Sequence, residues 1–438
     1  MAESSGLSSA AELLEKTSAP SRVRPWWSAV RSVFHSPVAV FLVGFVVRLK
    51  VLTELLPARM WAGFYQYNEP SHIASELAAG LGFSSPWPNT PIAPTAQQPP
   101  LYPLVVAAIF KLAGIYSYSS LWLILGLNAL LSAITGVLIL RIGRRDFGVP
   151  TAVLAAWIWA CWVYEATVSI RLWESTLATF LLMLGILLFA QMENSQNFRP
   201  WVLFGLLTGA AALTNTTLLS VLPLFWLSLW LIYRKRRESC TRVLLLSMAA
   251  CVLVILPWTI RNYSVFHRLI PVRDNFGLEL WVGVELDSNL KPPGNRPFPL
   301  DFPLCNPTEY NRLGELAFMD SRTRLSTQFI RDYPLHYLHT VLDRFRRFWS
   351  EPSDMQWPII SALAWIGAIL ALVRKRARAL PYLIVLVVFP LVYYATHTFP
   401  TYRQPIEPVM LLLASYALCS ACLISAKAFR QYFSHQNG

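Results

Sequence analysis

Residues 201–233 read WVLFGLLTGAAALTNTTLLSVLPLFWLSLWLIY: two apolar runs, 201–215 and 217–233, parted only by Asn215, Thr216 and Thr217. A helix needs about 20 predominantly apolar residues to cross the hydrocarbon of a bilayer. Two such runs with so short a link predict a tight helical hairpin inside a membrane. A basic cluster, Arg234, Lys235, Arg236 and Arg237, ends the second run and marks the membrane surface.

Working outward, eight more runs have the same character: 38–56, 118–140, 150–169, 172–191, 243–258, 358–373, 380–397 and 407–426, several of them short. The expected fold class is therefore all-α, a polytopic membrane helix bundle of about ten spans. Of the 438 residues, 55% are hydrophobic and 14% charged, against about 25% charged in soluble domains. The 17 Trp, 17 Tyr and 24 Phe suit aromatic belts at the two membrane surfaces. The net charge of +13 follows from basic loops, and no basic stripe interleaved with aromatics points to nucleic acid. Six cysteines lie mostly in or beside apolar runs and form no disulfide framework; Cys419 and Cys422 read as small packing residues.

Loop charges set the topology. Arg141, Arg144 and Arg145 follow the second run, Arg234 to Arg237 the sixth, Arg374, Lys375, Arg376 and Arg378 the eighth, and Lys427 and Arg430 the tenth. With ten spans all four clusters fall on one side, which the positive-inside rule makes cytoplasmic, together with both termini. The expected organisation is a cytoplasmic tail with a short interfacial helix (1–37), a membrane domain (38–426) and a second tail (427–438). Two long segments then face the other side, 57–117 and 258–357, and apolar spacing with arginines between over 309–348 predicts interfacial helices.

Chemistry is sought where acids and cations meet that face. Asn68, Glu69 and His72 fall within one prospective helical turn, with Pro70 suited to its start. Glu69 reads either as a first-turn acid stabilised by the helix dipole or as a general base for an acceptor hydroxyl. Glu165 and Glu174 flank Arg171 at the mouth of the third and fourth runs, as an ion cluster or, for Glu174, as a group facing a cavity. Arg48 lies inside the first run, Arg261 in WTIRNY (258–263) and Arg403 in TYRQPIEP (401–408). Arginines converging on one cavity would suit a phosphate, which guanidinium binds through paired hydrogen bonds. No Walker loop, dinucleotide fingerprint, HExxH or GxSxG occurs.

The ordered set NEPSHIASELAAGLGFSSP (68–86), PTAQQPPLYPLVVAAIFKLAG (94–114), RLWES (171–175), PWTIRNYSVF (257–266), PVRDNFGLELW (271–281) and RLGELAFM (312–319) resembles the GT-C superfamily of integral-membrane glycosyltransferases. The nearest resemblance is to its bacterial family 39-like branch, related to protein O-mannosyltransferases and lipid A aminoarabinose transferases. It covers residues 38–426. It implies an inverting transfer of a sugar from a polyprenyl-phosphate-linked donor on the extracytoplasmic face of a bacterial plasma membrane, to a lipid, glycan or protein acceptor. By position Glu69 takes the place of the catalytic acid and Glu174 that of a supporting acid. Arg261 and Arg403 take the places expected to face the lipid phosphate, and Asn68, His72, Tyr102 and Arg48 join them as candidate substrate contacts. The chain departs from the pattern at Asn68, where the first acid of an Asp-Glu pair is common, and at His72, where Tyr is frequent. Gln97-Gln98 stands where aminoarabinose transferases have a Glu-Lys pair. No cofactor is required, and a bound divalent cation is left open. The alternative reading is a transporter or flippase of lipid-linked glycans, for which the pseudo-symmetric halves of such carriers are missing from the sequence.

Overall fold

A computed structural model describes residues 31–61, 65, 68–88, 90–288, 307–350 and 356–436; most of the expected N-terminal tail lies outside them. The chain is built from helices. Among the described residues the sole β pairing is an isolated antiparallel bridge, Ser84 to Pro94. In chain order the helices are α1 (Pro37–Trp61), α2 (Glu69–Ala78), α3 (Leu101–Ala113), α4 (Tyr118–Asp146), α5 (Val149–Cys161), α6 (Val163–Ser169), α7 (Ser175–Met192), α8 (Phe198–Ala212) and α9 (Leu218–Lys235). They continue as α10 (Thr241–Phe266), α11 (Phe276–Ser288), α12 (Pro307–Leu313), α13 (Glu315–Asp332), α14 (Pro334–Trp349), α15 (Gln356–Lys375), α16 (Leu380–Val388), α17 (Leu391–Ala395) and α18 (Glu407–Gln436), with a 3₁₀ segment over Pro400–Ile406.

All ten apolar runs are helical, but they do not make ten equal spans. Six helices among the described residues are long and apolar enough to cross a membrane, or seven if the α5–α6 pair counts as one broken span. α1 is 25 residues long but carries Arg48, Lys50, Glu54 and Arg59 from its middle onward. α8 has 15 residues, about 22 Å at helical rise, and α16–α17 is a broken pair. The run at 150–169 is not continuous: it bends by 62° at Trp162, between α5 and α6.

That break is stabilised by a cation. Where α5 ends, its last carbonyls have no helical partner, and Arg48 of α1 supplies donors to them: Nη2 to Trp159 O at 3.1 Å and Nη1 to Ala160 O at 3.3 Å. The expected hairpin is present as α8 and α9. α8 also packs closely on α10, where a Cβ at Gly205 would stand 2.0 Å from Ser247 O and one at Gly209 2.6 Å from Val254 Cβ. Small residues four apart allow this backbone approach.

The main core joins α4, α5, α7, α8, α9, α15, α16 and α18 around Trp159, Trp201, Phe204, Phe225 and Tyr382. A second apolar cluster joins α1, α2, α3, α4 and the 166–172 segment through Leu52, Tyr65, Ala74, Tyr102 and Phe110. In the second long segment, α14 is amphipathic. Thr340, Arg344, Phe348 and Trp349 are buried against the body, while Leu335, Leu338, Leu342 and Phe345 form an exposed apolar stripe beside polar His339, Asp343 and Arg346. This is the geometry of a helix lying in a membrane surface. The five described cysteines are free.

Candidate active site

Successive helices bring the 65–100 segment, the 170–174 turn, the 213–217 link, the 271–288 segment and the 396–406 turn to one end of the bundle, opposite the basic clusters. Glu69 opens α2 there, after Asn68 in extended conformation and with Pro70 at the start of the helix. Its Oε1 accepts hydrogen bonds from Trp87 Nε1 at 2.9 Å and Gln97 Nε2 at 3.0 Å. Its Oε2 accepts one from Gln98 Nε2. Glu69 as a residue is half-buried, with its carboxylate enclosed by protein. Burial raises its pKa above the ordinary carboxylate value, and the nearby charge of Glu279 adds to the rise; the Trp87 bond, the Arg273 charge and the Gln98 bond oppose it.

The loop that carries these donors is fastened from three directions. Arg261 of α10 donates to Thr95 O at 2.8 Å and Phe83 O at 3.0 Å, and stacks over Trp258 with its charge 4.9 Å from the ring centre. Asp274 N donates to Ala96 O at 2.9 Å. Glu315, at the start of α13, accepts from Ala96 N at 2.6 Å and from Tyr310 OH at 3.0 Å. Tyr310 in turn packs edge-on against Trp87, with ring centroids 5.1 Å apart. Burial pushes the Glu315 carboxyl up to about 7.

Arg273 is the cation of the site. Its Nη2 donates to Glu279 Oε1 at 2.9 Å, and its charge reaches Glu69, Glu174 and Tyr393. Its Nε is buried without a hydrogen-bond partner among the described residues. Glu279 also accepts from Asn275 Nδ2 at 2.6 Å and faces His397 Nε2 at 3.6 Å, and His397 Nε2 lies 3.0 Å from Tyr402 OH. α11 can approach the 396 turn this closely because residue 283 is glycine: a Cβ there would lie 1.8 Å from Thr396 O.

Glu174 caps α7 and is buried, within electrostatic reach of Arg273, Glu69 and Glu279. Its Oε1 has a long contact with Asn215 Nδ2 at 3.5 Å, and its Oε2 has no partner among the described residues. Tyr102 is buried beside it and accepts from Asn128 Nδ2 at 3.1 Å. Arg171, three residues before Glu174, makes no hydrogen bond through its side chain to the described residues. It lies partly accessible near Arg59, Tyr164, Tyr402 and Glu174.

The two acids expected from the sequence, Glu69 and Glu174, are thus brought together. The three arginines named as candidate phosphate contacts have protein partners in the structure, and for Arg48 these suit the structural role that a long side chain inside a span equally allows. Arg48 is fully buried, with Nε on Ser132 Oγ at 2.6 Å and its other donors on carbonyls of α1 and α5. Arg261 is the pin of the 83–95 loop. Arg403 is 1% exposed, paired with Glu407, bonded to Ser361 Oγ at 3.1 Å and pressed over Trp357 with its charge 3.6 Å from the ring centre. His72 is also a tether, Nδ1 to Ser85 O at 2.7 Å, and Asn68 uses its backbone carbonyl to start α2. Residue-level reading of the sequence passed over Arg273, Glu279, Trp87, Gln97 and Gln98 as site residues. The signal for Arg273 and Glu279 was present in PVRDNFGLELW, and that for the glutamines was their departure from the family pattern.

Both carboxylate oxygens of Glu69 accept N–H donors. No group of three or more His, Cys, Asp or Glu among the described residues could hold a metal ion.

Residues 97–260 match the sequence pattern of the family described as dolichyl-phosphate-mannose-protein mannosyltransferase. No curated protein matches the chain. Among solved structures, the apo oligosaccharyltransferase of Archaeoglobus fulgidus aligns over 92% of this chain and 52% of its own, at 12% identity and TM-score 0.53. The archaeal oligosaccharyltransferase AglB of the same organism, in complex with an inhibitory peptide and a dolichol-phosphate, aligns over 91% and 52%, at 12% identity and TM-score 0.53. ArnT from Cupriavidus metallidurans, bound to undecaprenyl phosphate, aligns over 87% of this chain and 59% of its own, at 15% identity and TM-score 0.44. The chain spans about half the length of the archaeal proteins it matches. It therefore shares the fold of these archaeal oligosaccharyltransferases, and its residues 97–260 match the pattern of the mannosyltransferase family.

Proposed function

We propose that the protein is an inverting glycosyltransferase that moves a sugar from a polyprenyl-phosphate-linked donor to an acceptor on the extracytoplasmic side of a bacterial plasma membrane. The observation that carries this reading is the juxtaposition of a held carboxylate, on the half-buried residue Glu69, with the partly accessible guanidinium of Arg273. The dolichol-phosphate in AglB supports a lipid-linked donor, and the sequence pattern over 97–260 supports a glycosyl transfer.

The step needs no nucleotide, since the lipid phosphate ester is already an activated bond. The acceptor oxygen or nitrogen attacks the anomeric carbon while its proton passes to Glu69. The bond from that carbon to the phosphate oxygen breaks, and its electron pair stays on the phosphate. Arg273, with Arg171 on the far side of Glu174, lies where that negative charge develops, a placement whose loss typically costs about 10²–10³ in rate. A base raised above the ordinary carboxylate range and kept near the acceptor contributes about 10²–10⁴. Glu174 orients the donor from the opposite wall. Arg261 and Arg403 act on the frame of the site and not on the phosphate.

The test uses purified protein in vesicles with radiolabelled sugars on undecaprenyl phosphate. Cell-envelope membranes of a strain lacking the protein serve as the acceptor source. Transfer of label with release of undecaprenyl phosphate is expected, and Glu69→Gln should remove it. Movement of the labelled lipid between leaflets without transfer would favour a flippase instead.

A further inference from the structure

Among the described residues, every donor on Glu69 is neutral. Trp87 Nε1 and Gln97 Nε2 bond Oε1 and Gln98 Nε2 bonds Oε2, so both oxygens are fixed without a lysine or arginine at hydrogen-bond distance. The partner settles each amide's orientation, because an amide oxygen turned to a carboxylate would repel it. Gln97 and Gln98 are 1% and 3% exposed, and the backbone beside them is held by Arg261, Asp274 N and Glu315. They are not free to swing away. A cation in their place would stabilise the ionised form more strongly than an amide does. It would make Glu69 a weaker base, and it would also compete for the phosphate of the donor.

We infer that Gln97 and Gln98 are positioning residues that fix the Glu69 carboxylate toward the acceptor with neutral donors alone, leaving the site's positive charge to the leaving phosphate. This rests on Glu69 being the base. The other charged or titratable groups around Glu69 are Arg273 and Glu279 of the 271–288 segment, Glu174 before α7, and Tyr402 of the 3₁₀ turn. None of them is altered by substituting the glutamines.

The experiment is an infrared pH titration of the full chain in vesicles, following the protonated-carboxyl band that Glu69→Gln abolishes. Gln98→Ala and Gln97→Ala each remove a donor that favours the ionised form. Each should raise the midpoint by about one pH unit, the equivalent of one hydrogen bond to a charged group. Gln98→Lys should lower it by a similar amount or more and cut the transfer plateau about tenfold, as expected of a weaker base. If Gln98→Ala does not fold, Gln98→Asn withdraws the same donor by one methylene. Midpoints unchanged in the Gln97 and Gln98 variants would overturn the inference, even with Glu69→Gln inactive. Full transfer by Glu69→Gln would overturn the base assignment instead, while the infrared midpoints would still report on the grip.

Discussion

Two polar clusters lie near one end of this bundle, and they handle charge in opposite ways. Around Arg403 the groups are sealed: Arg403, Glu407 and Glu165 are each 1% exposed and Arg48 is fully buried, with cations set on carboxylate, hydroxyl and carbonyl oxygens. Around Glu69 the acid is half-buried as a residue, its donors among the described residues are neutral, and the cation beside it is partly accessible. The first arrangement stabilises a frame through the Arg403–Glu407 pair and the carbonyl bonds of Arg48, since buried charges are tolerated where they are paired, even with Arg403 Nη2, Glu407 Oε2 and Glu165 Oε2 unpartnered among the described residues. The second is arranged to change its protonation and to receive another charge. The number of arginines at a membrane surface therefore says little about where a phosphate binds. What discriminates is whether they can be reached: Arg403 Nη2 and Arg273 Nε are both buried without a hydrogen-bond partner among the described residues, but Arg403 as a whole is sealed and Arg273 is partly accessible.

The sharpest way to break this contrast is to neutralise the charged groups of the accessible cluster. Glu69→Gln should lower transfer by about 10²–10⁴ and leave the melting temperature unchanged or higher. The sign follows from the raised pKa: the stabilising contribution of such a carboxyl is full below its unfolded value and lost as pH rises through the folded one. Once pH has risen through that folded value, the ionised group is a burden on the fold that the amide removes. A Glu69→Gln protein that transfers at wild-type rate would dissolve the distinction between the clusters. Next in size, Arg273→Gln should lower transfer by about 10²–10³ and weaken binding of undecaprenyl phosphate, measured with the labelled lipid.

For the sealed cluster the readouts should reverse. Arg48→Met removes the donors on the Trp159 and Ala160 carbonyls at the α5–α6 break. Leaving buried acceptors unmade costs about 1–3 kcal/mol each, so thermal stability in detergent should fall clearly. Transfer per folded molecule should stay within about threefold, provided Glu69 keeps its place, an allowance well below the tenfold of 1.4 kcal/mol. Loss of transfer without loss of stability would move Arg48 back to the substrate.

Much of the fold is legible because hydropathy is a one-dimensional property: each apolar run is helical, two of them as broken pairs, and the 201–233 hairpin folds where Asn215, Thr216 and Thr217 interrupt it. The bend at Trp162 was not legible, because apolar residues continue through it and the cause, Arg48, is 111 residues away from Trp159 in the chain. Glu69 and Glu174 could be picked out as acids at the ends of apolar runs. The roles of the arginines could not be, since they depend on which carbonyls the packed helices leave open. Arg273 was hidden for a related reason: it sits in a long polar segment rich in arginine, and only folding sets it beside Glu69.

The smallest effect concerns the acid that sits across Arg273 from Glu69. The charge of Glu279 is the second cause, after burial, of the raised Glu69 pKa. A base acts only when deprotonated, so transfer should fall as pH drops through a value above the ordinary carboxylate range. Glu279→Gln removes the like charge and releases Arg273 from its ion pair. Both changes favour ionised Glu69, and the acid limb of the pH–rate profile should move down by roughly half a pH unit, or about 0.7 kcal/mol. The plateau should fall less than in Arg273→Gln, because the guanidinium remains. A limb that moves up, or one that stays while the plateau collapses, would mean that Glu279 works chiefly by holding Arg273 in place. The accessible cluster would then be organised by its ion pair, as the sealed one is, and the difference between them would narrow to accessibility alone.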